Sequence, residues 1–197
     1  MSQQSSGAEK QMILFVNACV REQSRTKQIA EYLLSILDDD IMEVKLKDTK
    51  FPMSDETFLN QREEAAASGD FHADMFAFAR DFASADTVVI AAPYWDLSFP
   101  AVLKQYLEQV TVNGITFRYS EEGIPQGLCR ARKLYYITTA GGPSVPVEYG
   151  YGYVRELAQS YYGIPETVLI KAEGLDIVGA DVDEILEETK KKIKNQS

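Results

Sequence analysis

A chain of 197 residues, 45% of them hydrophobic, can fill one α/β core and is too apolar to read as a disordered segment. The formal charge of −10 argues against nucleic acid or an anionic membrane as the main partner, because both would repel it. The two cysteines, Cys19 and Cys129, lie far apart with no thiol or histidine at ligand spacing. That argues against a zinc site or a disulfide framework and makes a reducing cytoplasm the expected compartment.

Residues 1–10 read as a frayed leader and 11–197 as a single domain. The apolar run over 12–20 is short, is broken by Asn17 and leads straight into an amphipathic helix, so it reads as a core strand and not a signal segment. No apolar run reaches the roughly 18 residues of a membrane span. Strand and helix patterns then alternate. A strand is expected over 12–17, a helix over 24–37 and a strand over 41–46. The stretch 48–69 is irregular, and a short helix over 55–67 is a better reading of it than a flap. A helix over 71–83 sets Phe71, Met75, Phe78 and Phe82 on one face. After a strand over 87–92, a helix over 99–112 has Ser98 as its N-cap and Pro100 in its first turn. An extended piece over 115–119 and a strand over 133–139 follow. A helix over 147–162 buries Val154, Leu157, Ala158 and Tyr161. A strand over 167–171 and a helix over 181–193, opened by Asp181 and Glu184, complete the chain.

Five strands joined by right-handed crossovers make a doubly wound parallel sheet. Open α/β sheets bind ligands at the carboxyl ends of their strands, so the loops there carry the functional reading. The first, over 18–26, has neither a G-x-G-x-x-G fingerprint nor a P-loop. It offers the hydroxyls of Ser24 and Thr26 at a helix start, with Arg21 and Arg25 beside them, a donor set that suits a phosphate. An ordinary serine cap accounts for the same Ser24. The second loop, Pro93, Tyr94, Trp95, Asp96 and Leu97, presents flat apolar surface beside free backbone groups, which suits a planar heteroaromatic ring. A core or interface role for Trp95 is the alternative. The third, Thr139, Ala140, Gly141 and Gly142, lets backbone approach a ligand closely.

With the strand-loop-helix over 13–34 and the stretch over 91–119, the run Thr138-Thr139-Ala140-Gly141-Gly142 resembles the FMN-dependent NADH:quinone oxidoreductases and azoreductases of the flavodoxin-like fold. The resemblance covers most of the chain and is weakest over 49–69. It implies strand order 2-1-3-4-5, FMN as cofactor, NADH or NADPH as co-substrate and a quinone or azo compound as acceptor. It also implies that Ser24, Arg25 and Thr26 contact the FMN phosphate, while the second loop lies along the ring. Relatives carry a serine near the start of the first loop, where this chain has Ala18 or Cys19. No side chain is assigned a catalytic role and no metal is expected. Backbone N–H groups of Gly141 and Gly142 would stabilise negative charge on the reduced ring. Some quinone reductases of this fold use a Tyr–His pair, but His72, the only histidine, falls away from this edge. The proton then comes from solvent or from a tyrosine such as Tyr149 or Tyr151. A homodimer is expected from the aromatic surface of Tyr94, Trp95, Phe117, Tyr119 and the later tyrosines, and ping-pong transfer from a single ring site. The rival readings are a flavodoxin-like electron carrier and a flavin-binding regulatory subunit of a transporter.

Overall fold

The computed structural model describes residues 10–194, so the expected leader, apart from Lys10, lies outside the described residues. In chain order the elements are β1 (Met12–Asn17), α1 (Arg25–Leu37), β2 (Asp40–Lys45), α2 (Glu56–Ala67), α3 (Ala77–Ser84), β3 (Thr87–Ala91) and α4 (Ala101–Val110). Then come β4 (Phe117–Tyr119), β5 (Pro125–Gly127), β6 (Lys133–Thr139), α5 (Tyr151–Glu156), β7 (Glu166–Ala172) and α6 (Val182–Lys194). The main sheet is parallel with order β2-β1-β3-β6-β7. With the small β4–β5 hairpin set aside, that is the expected order 2-1-3-4-5.

The central strands read as continuous apolar runs because both of their faces are covered. Side chains alternate between faces with period two. Ile13, Phe15, Val89, Ala91 and Ile137 pack under α1 and α6 through Ile29, Leu33, Leu186 and Ile193. Leu14, Val16, Val88, Ile90 and Tyr136 pack under α3, α4 and α5 through Phe82, Leu103, Tyr106, Leu107 and Val154. Two buried layers therefore grip the strands and leave their carboxyl ends at one open edge.

Element ends depart from the sequence reading for local reasons. The helix expected from 71 begins only at Ala77, because Arg80 Nη1 donates to the carbonyls of Phe71 (2.7 Å) and Ala73 (2.8 Å) and holds them in a turn. Helix α4 starts at Ala101 with Pro100 in the cap position, and Ser98 is not its cap: Ser98 Oγ donates to the Tyr149 carbonyl at 3.1 Å. The helix expected from 147 starts at Tyr151, with Gly150, a poor helix former, in the cap position. Its second half, Leu157–Tyr162, widens to a π-helix, which buries Tyr162 in place of the expected Tyr161. The helix over 55–67 forms as α2, with Asp55 accepting from Phe58 N at 2.9 Å.

The expected extended piece pairs antiparallel with β5, which the sequence reading did not assign. The hairpin lies at the amino edge of the sheet. Just past it, Arg130 N bonds Ala83 O at the end of α3, and Arg132 N bonds Asp86 O ahead of β3. Phe117 is buried against Tyr161. The aromatic set expected at one edge is thus divided, with Tyr94, Trp95 and Tyr149 at the carboxyl edge and Phe117 and Tyr119 at the other end of α4.

At Gly127 the hairpin meets the end of the π turn backbone to backbone. A Cβ on Gly127 would collide with the main chain of Tyr162 and Gly163, neither of which can swing aside as a side chain would. Gly127→Ala is therefore expected to lower stability by about 2 kcal/mol, read as a reduced midpoint in urea unfolding; an unchanged midpoint would show that the contact is slack.

Candidate functional site

The three loops are aligned by the sheet itself. Hydrogen bonding continues past the strand ends, from Ala18 N to Ala91 O (2.9 Å), from Ala92 N to Ile137 O (2.9 Å), from Tyr94 N to Thr139 O (3.1 Å) and from Ala140 N to Ala172 O (2.9 Å). Loops from β1, β3 and β6 thus leave the sheet side by side, as expected, and a fourth loop, after β7, joins them.

In the first loop Ser24 caps α1 by accepting from Lys27 N at 3.3 Å. The N–H groups of Arg25 and Thr26, in the first turn, have no acceptor among the described residues, as is usual for a helix start. Thr26 is buried, and its Oγ1 lies 2.7 Å from Thr139 Oγ1, tying the first loop to the third. Most cations here are paired: Lys27 with Glu31 (3.3 Å), Lys45 with Glu43 (3.7 Å), and Lys47 with Glu22. The Lys47 hydrogen bond holds the Glu22 carboxyl below its usual range. Arg25 is also committed, donating to Leu175 O at 3.0 Å and to Asp176 Oδ1 at 2.9 Å. Arg21 is exposed, has no ion pair among the described residues, and borders a cavity of about 90 Å³ with Asn17, Cys19 and Lys27. Burial pushes the Cys19 thiol up to about 11 against a smaller opposing effect of Ser24. Cys19 is therefore a neutral thiol near pH 7, and its N–H is taken by Asn17 Oδ1 at 3.0 Å.

The second loop is a two-residue turn of the I′ kind. Trp95 N bonds Ser98 O at 3.2 Å and Ser98 N bonds Trp95 O at 2.8 Å, while Asp96 (φ 50°) and Leu97 (φ 68°) are both left-handed. A leucine in that region is strained by about 1–2 kcal/mol. The turn displays Trp95 and Leu97, 40% and 57% exposed, beside a shallow concavity of about 310 Å³ bounded by Ser98, Phe99, Lys104 and Tyr149.

In the third loop the two glycines differ. A Cβ on Gly141 would come within 2.9 Å of Asp176 Cβ and closer still to its carboxylate, whereas a Cβ on Gly142 would meet nothing. All three carbonyls of 140–142 are taken by the loop after β7: Leu175 N to Ala140 O (3.2 Å), Asp176 N to Gly141 O (3.0 Å) and Gly174 N to Gly142 O (2.6 Å). The N–H groups of Gly141 and Gly142 have no acceptor among the described residues. The structure therefore adds Leu175 and Asp176 to the edge. Their signal in the sequence is Glu173-Gly174-Leu175-Asp176 directly after a strand.

Of the other candidates, His72 and Tyr151 are not available to this edge. His72 is exposed in the turn before α3. Tyr151 spends its hydroxyl on Thr167, at 3.1 Å from O and 2.9 Å from Oγ1, whereas Tyr149 is 61% exposed. A concavity of about 650 Å³ lies between α2, the end of α4 and β4, lined by Leu59, Arg62, Phe71 and Tyr119 among others. It is a seam held by Arg62, which donates to Glu108 O (3.1 Å) and Thr111 O (2.7 Å) at the end of α4.

A family profile described as "Flavodoxin-like fold" matches residues 11–196. The chain belongs to that flavodoxin-like family. Among curated relatives, the FMN-dependent NADH:quinone oxidoreductase 2 of Clostridium acetobutylicum is 44% identical over 65% of this chain, and the match spans 64% of the relative's length. The FMN-dependent NADH:quinone oxidoreductase of Clostridium beijerinckii is 36% identical, with 94% of this chain and 96% of the relative covered. In solved structures, an azoreductase from Bacillus anthracis superposes with a TM-score of 0.78 over 94% of this chain and 98% of that one. At 24% identity that likeness is one of fold. The flavodoxin-like family read from the three loops is the one these comparisons return.

Proposed function

We propose that the chain is an FMN-dependent oxidoreductase that takes two electrons from NADH or NADPH and delivers them to a quinone or azo acceptor. One observation carries the reading: hydrogen bonds between strand ends place a phosphate-type donor set, an exposed indole and two unused amide N–H groups along one edge. The relatives' names supply the cofactor, and the donor set fits it. FMN is a flat ring with a phosphate tail. The first loop offers Ser24, the open N–H groups of Arg25 and Thr26 and the unpaired Arg21, and the open side of Gly142 leaves room for the ring. Bound flavin supplies the electron chemistry; the protein binds and orients it. Trp95 and Leu97 would give it apolar contact, and the Gly141 and Gly142 amides would supply fixed dipoles to its negative charge. The Tyr149 carbonyl accepts from Ser98 Oγ at the end of the second loop and its side chain is exposed, so solvent or Tyr149 would furnish the proton.

The carboxyl edge exposes Trp95 and Leu97, while the hairpin at the opposite edge exposes Tyr119 (51%) and Ile124 (62%). A homodimer that lays one subunit's hairpin near the other's loops would cover both surfaces. A single species of monomer mass in light scattering at micromolar concentration with FMN present would contradict it.

Among the described residues, Arg21 is a cation at the phosphate end without an ion pair. Arg21→Ala is therefore expected to weaken FMN about tenfold, the loss typical of a charged hydrogen bond, and to leave riboflavin unchanged in a fluorescence titration. Equal losses for both flavins would remove the phosphate assignment.

The decisive experiment is steady-state turnover of NADH with a benzoquinone in the presence of FMN. If nicotinamide and acceptor use one site in turn, double-reciprocal lines at several quinone concentrations should be parallel. Intersecting lines would refute the shared site. A flavin left oxidised by excess NADH and NADPH would favour the carrier or regulatory reading.

A further inference from the structure

The loop after β7 is joined to the candidate site by more contacts than a surface connection needs, and they converge on Asp176. Its carboxylate accepts from Arg25 Nη2 at 2.9 Å while Nη1 of the same guanidinium bonds Leu175 O at 3.0 Å. Its side chain occupies the space where a Cβ of Gly141 would stand. Its N–H, with those of Gly174 and Leu175, takes up the three carbonyls of residues 140–142. With the carbonyls drawn toward β7, the N–H groups of Gly141 and Gly142 are left without acceptors. A peptide turned the other way would aim a carbonyl where a donor is needed.

We infer that Arg25 and Asp176 form a clamp that sets the orientation of the Gly141–Gly142 amides, making both of them positioning residues for the ring and not readers of the phosphate. This rests on the flavin reading above. It divides the glycine pair, with Gly141 required by the clamp and Gly142 by the ligand. It also gives Arg25 a different task from Arg21, although both stand at the first loop. The Arg25 side chain is 29% exposed and that of Asp176 67%, so the ion pair alone contributes little. The leverage comes from the added bond to a backbone carbonyl and from the three main-chain bonds that the pair holds in register.

The test uses Arg25→Met, Asp176→Ala and the double variant of the full chain. Affinities for FMN and riboflavin are measured by fluorescence, and amide hydrogen exchange is followed over 140–142 and 174–176 in protein without flavin. A clamp predicts that each single variant weakens FMN and riboflavin by the same factor, about fivefold, so that their ratio stays within about twofold of wild type. The double variant should be no worse than the singles, and exchange should quicken in both segments. A phosphate-reading Arg25 predicts the opposite pattern. Arg25→Met would then weaken FMN alone, and Asp176→Ala, by releasing the guanidinium, would strengthen FMN alone; either result overturns the clamp. Unchanged exchange in both single variants also overturns it. A wild-type chain that bound neither flavin would refute the functional reading, and the exchange data would still decide whether the clamp exists.

Discussion

The edge depends on a parallel ladder that does not stop where the strands stop. Each loop's first residues still donate to the neighbouring strand's last carbonyls, so the loops inherit the spacing of the sheet, roughly 4.8 Å between strands. A ligand crossing that edge would meet donor groups at fixed intervals without any loop having to find its place independently. The two helix layers enforce this from below. Five of six residues in β1 and four of five in β3 are buried, and a slip of register by one residue would turn every apolar side chain to the wrong face. Precision at the site is therefore inherited from the burial of residues that never touch it.

The same ladder explains where backbone strain can be held. Trp95 and Ser98 close the second loop with two mutual hydrogen bonds, which forces Asp96 and Leu97 into left-handed conformations. Two-residue turns of this kind favour Asn-Gly or Asp-Gly; the aspartate conforms and the leucine does not. A glycine would relieve the strain but would remove the apolar surface that Leu97 presents beside Trp95. Strain kept at such a position is motivated by the surface it displays.

Most of the fold was legible because it follows from periodicity. Strands buried on both faces and helices with one apolar face announce themselves, and the helix at α2 follows from Asp55 and the run after it. The hairpin escaped because β4 and β5 are three residues each. Its signal lay in the turn Ser120-Glu121-Glu122-Gly123, where Gly123 takes φ 77° and Ser120 Oγ accepts from Glu122 N and Ile124 N, both at 3.2 Å. The helix ends at Ala77 and Ala101 were hidden because Arg80 and Ser98 make contacts that only the folded chain brings about. In the candidate site, the place of Ser24 and Thr26 at a helix start could be read from the sequence. Asp176 could not, since 151 positions separate it from Arg25 and no local rule pairs them.

Charge shows why this edge has to rely on backbone groups. The chain carries a formal −10, which opposes the approach of an anionic ligand over the Debye length, about 8 Å at physiological salt. The cations around the first loop would offset this, but Lys27, Lys45, Lys47 and Arg25 each have a carboxylate partner. What is left uncompensated is Arg21 together with main-chain N–H groups at a helix start and after β6. Such dipoles act only at contact and cannot be withdrawn by a neighbouring acid. An edge built this way would attract an anion weakly from afar and hold it by geometry on arrival. It favours a ligand whose shape matches the spacing of the donors over one that merely carries charge.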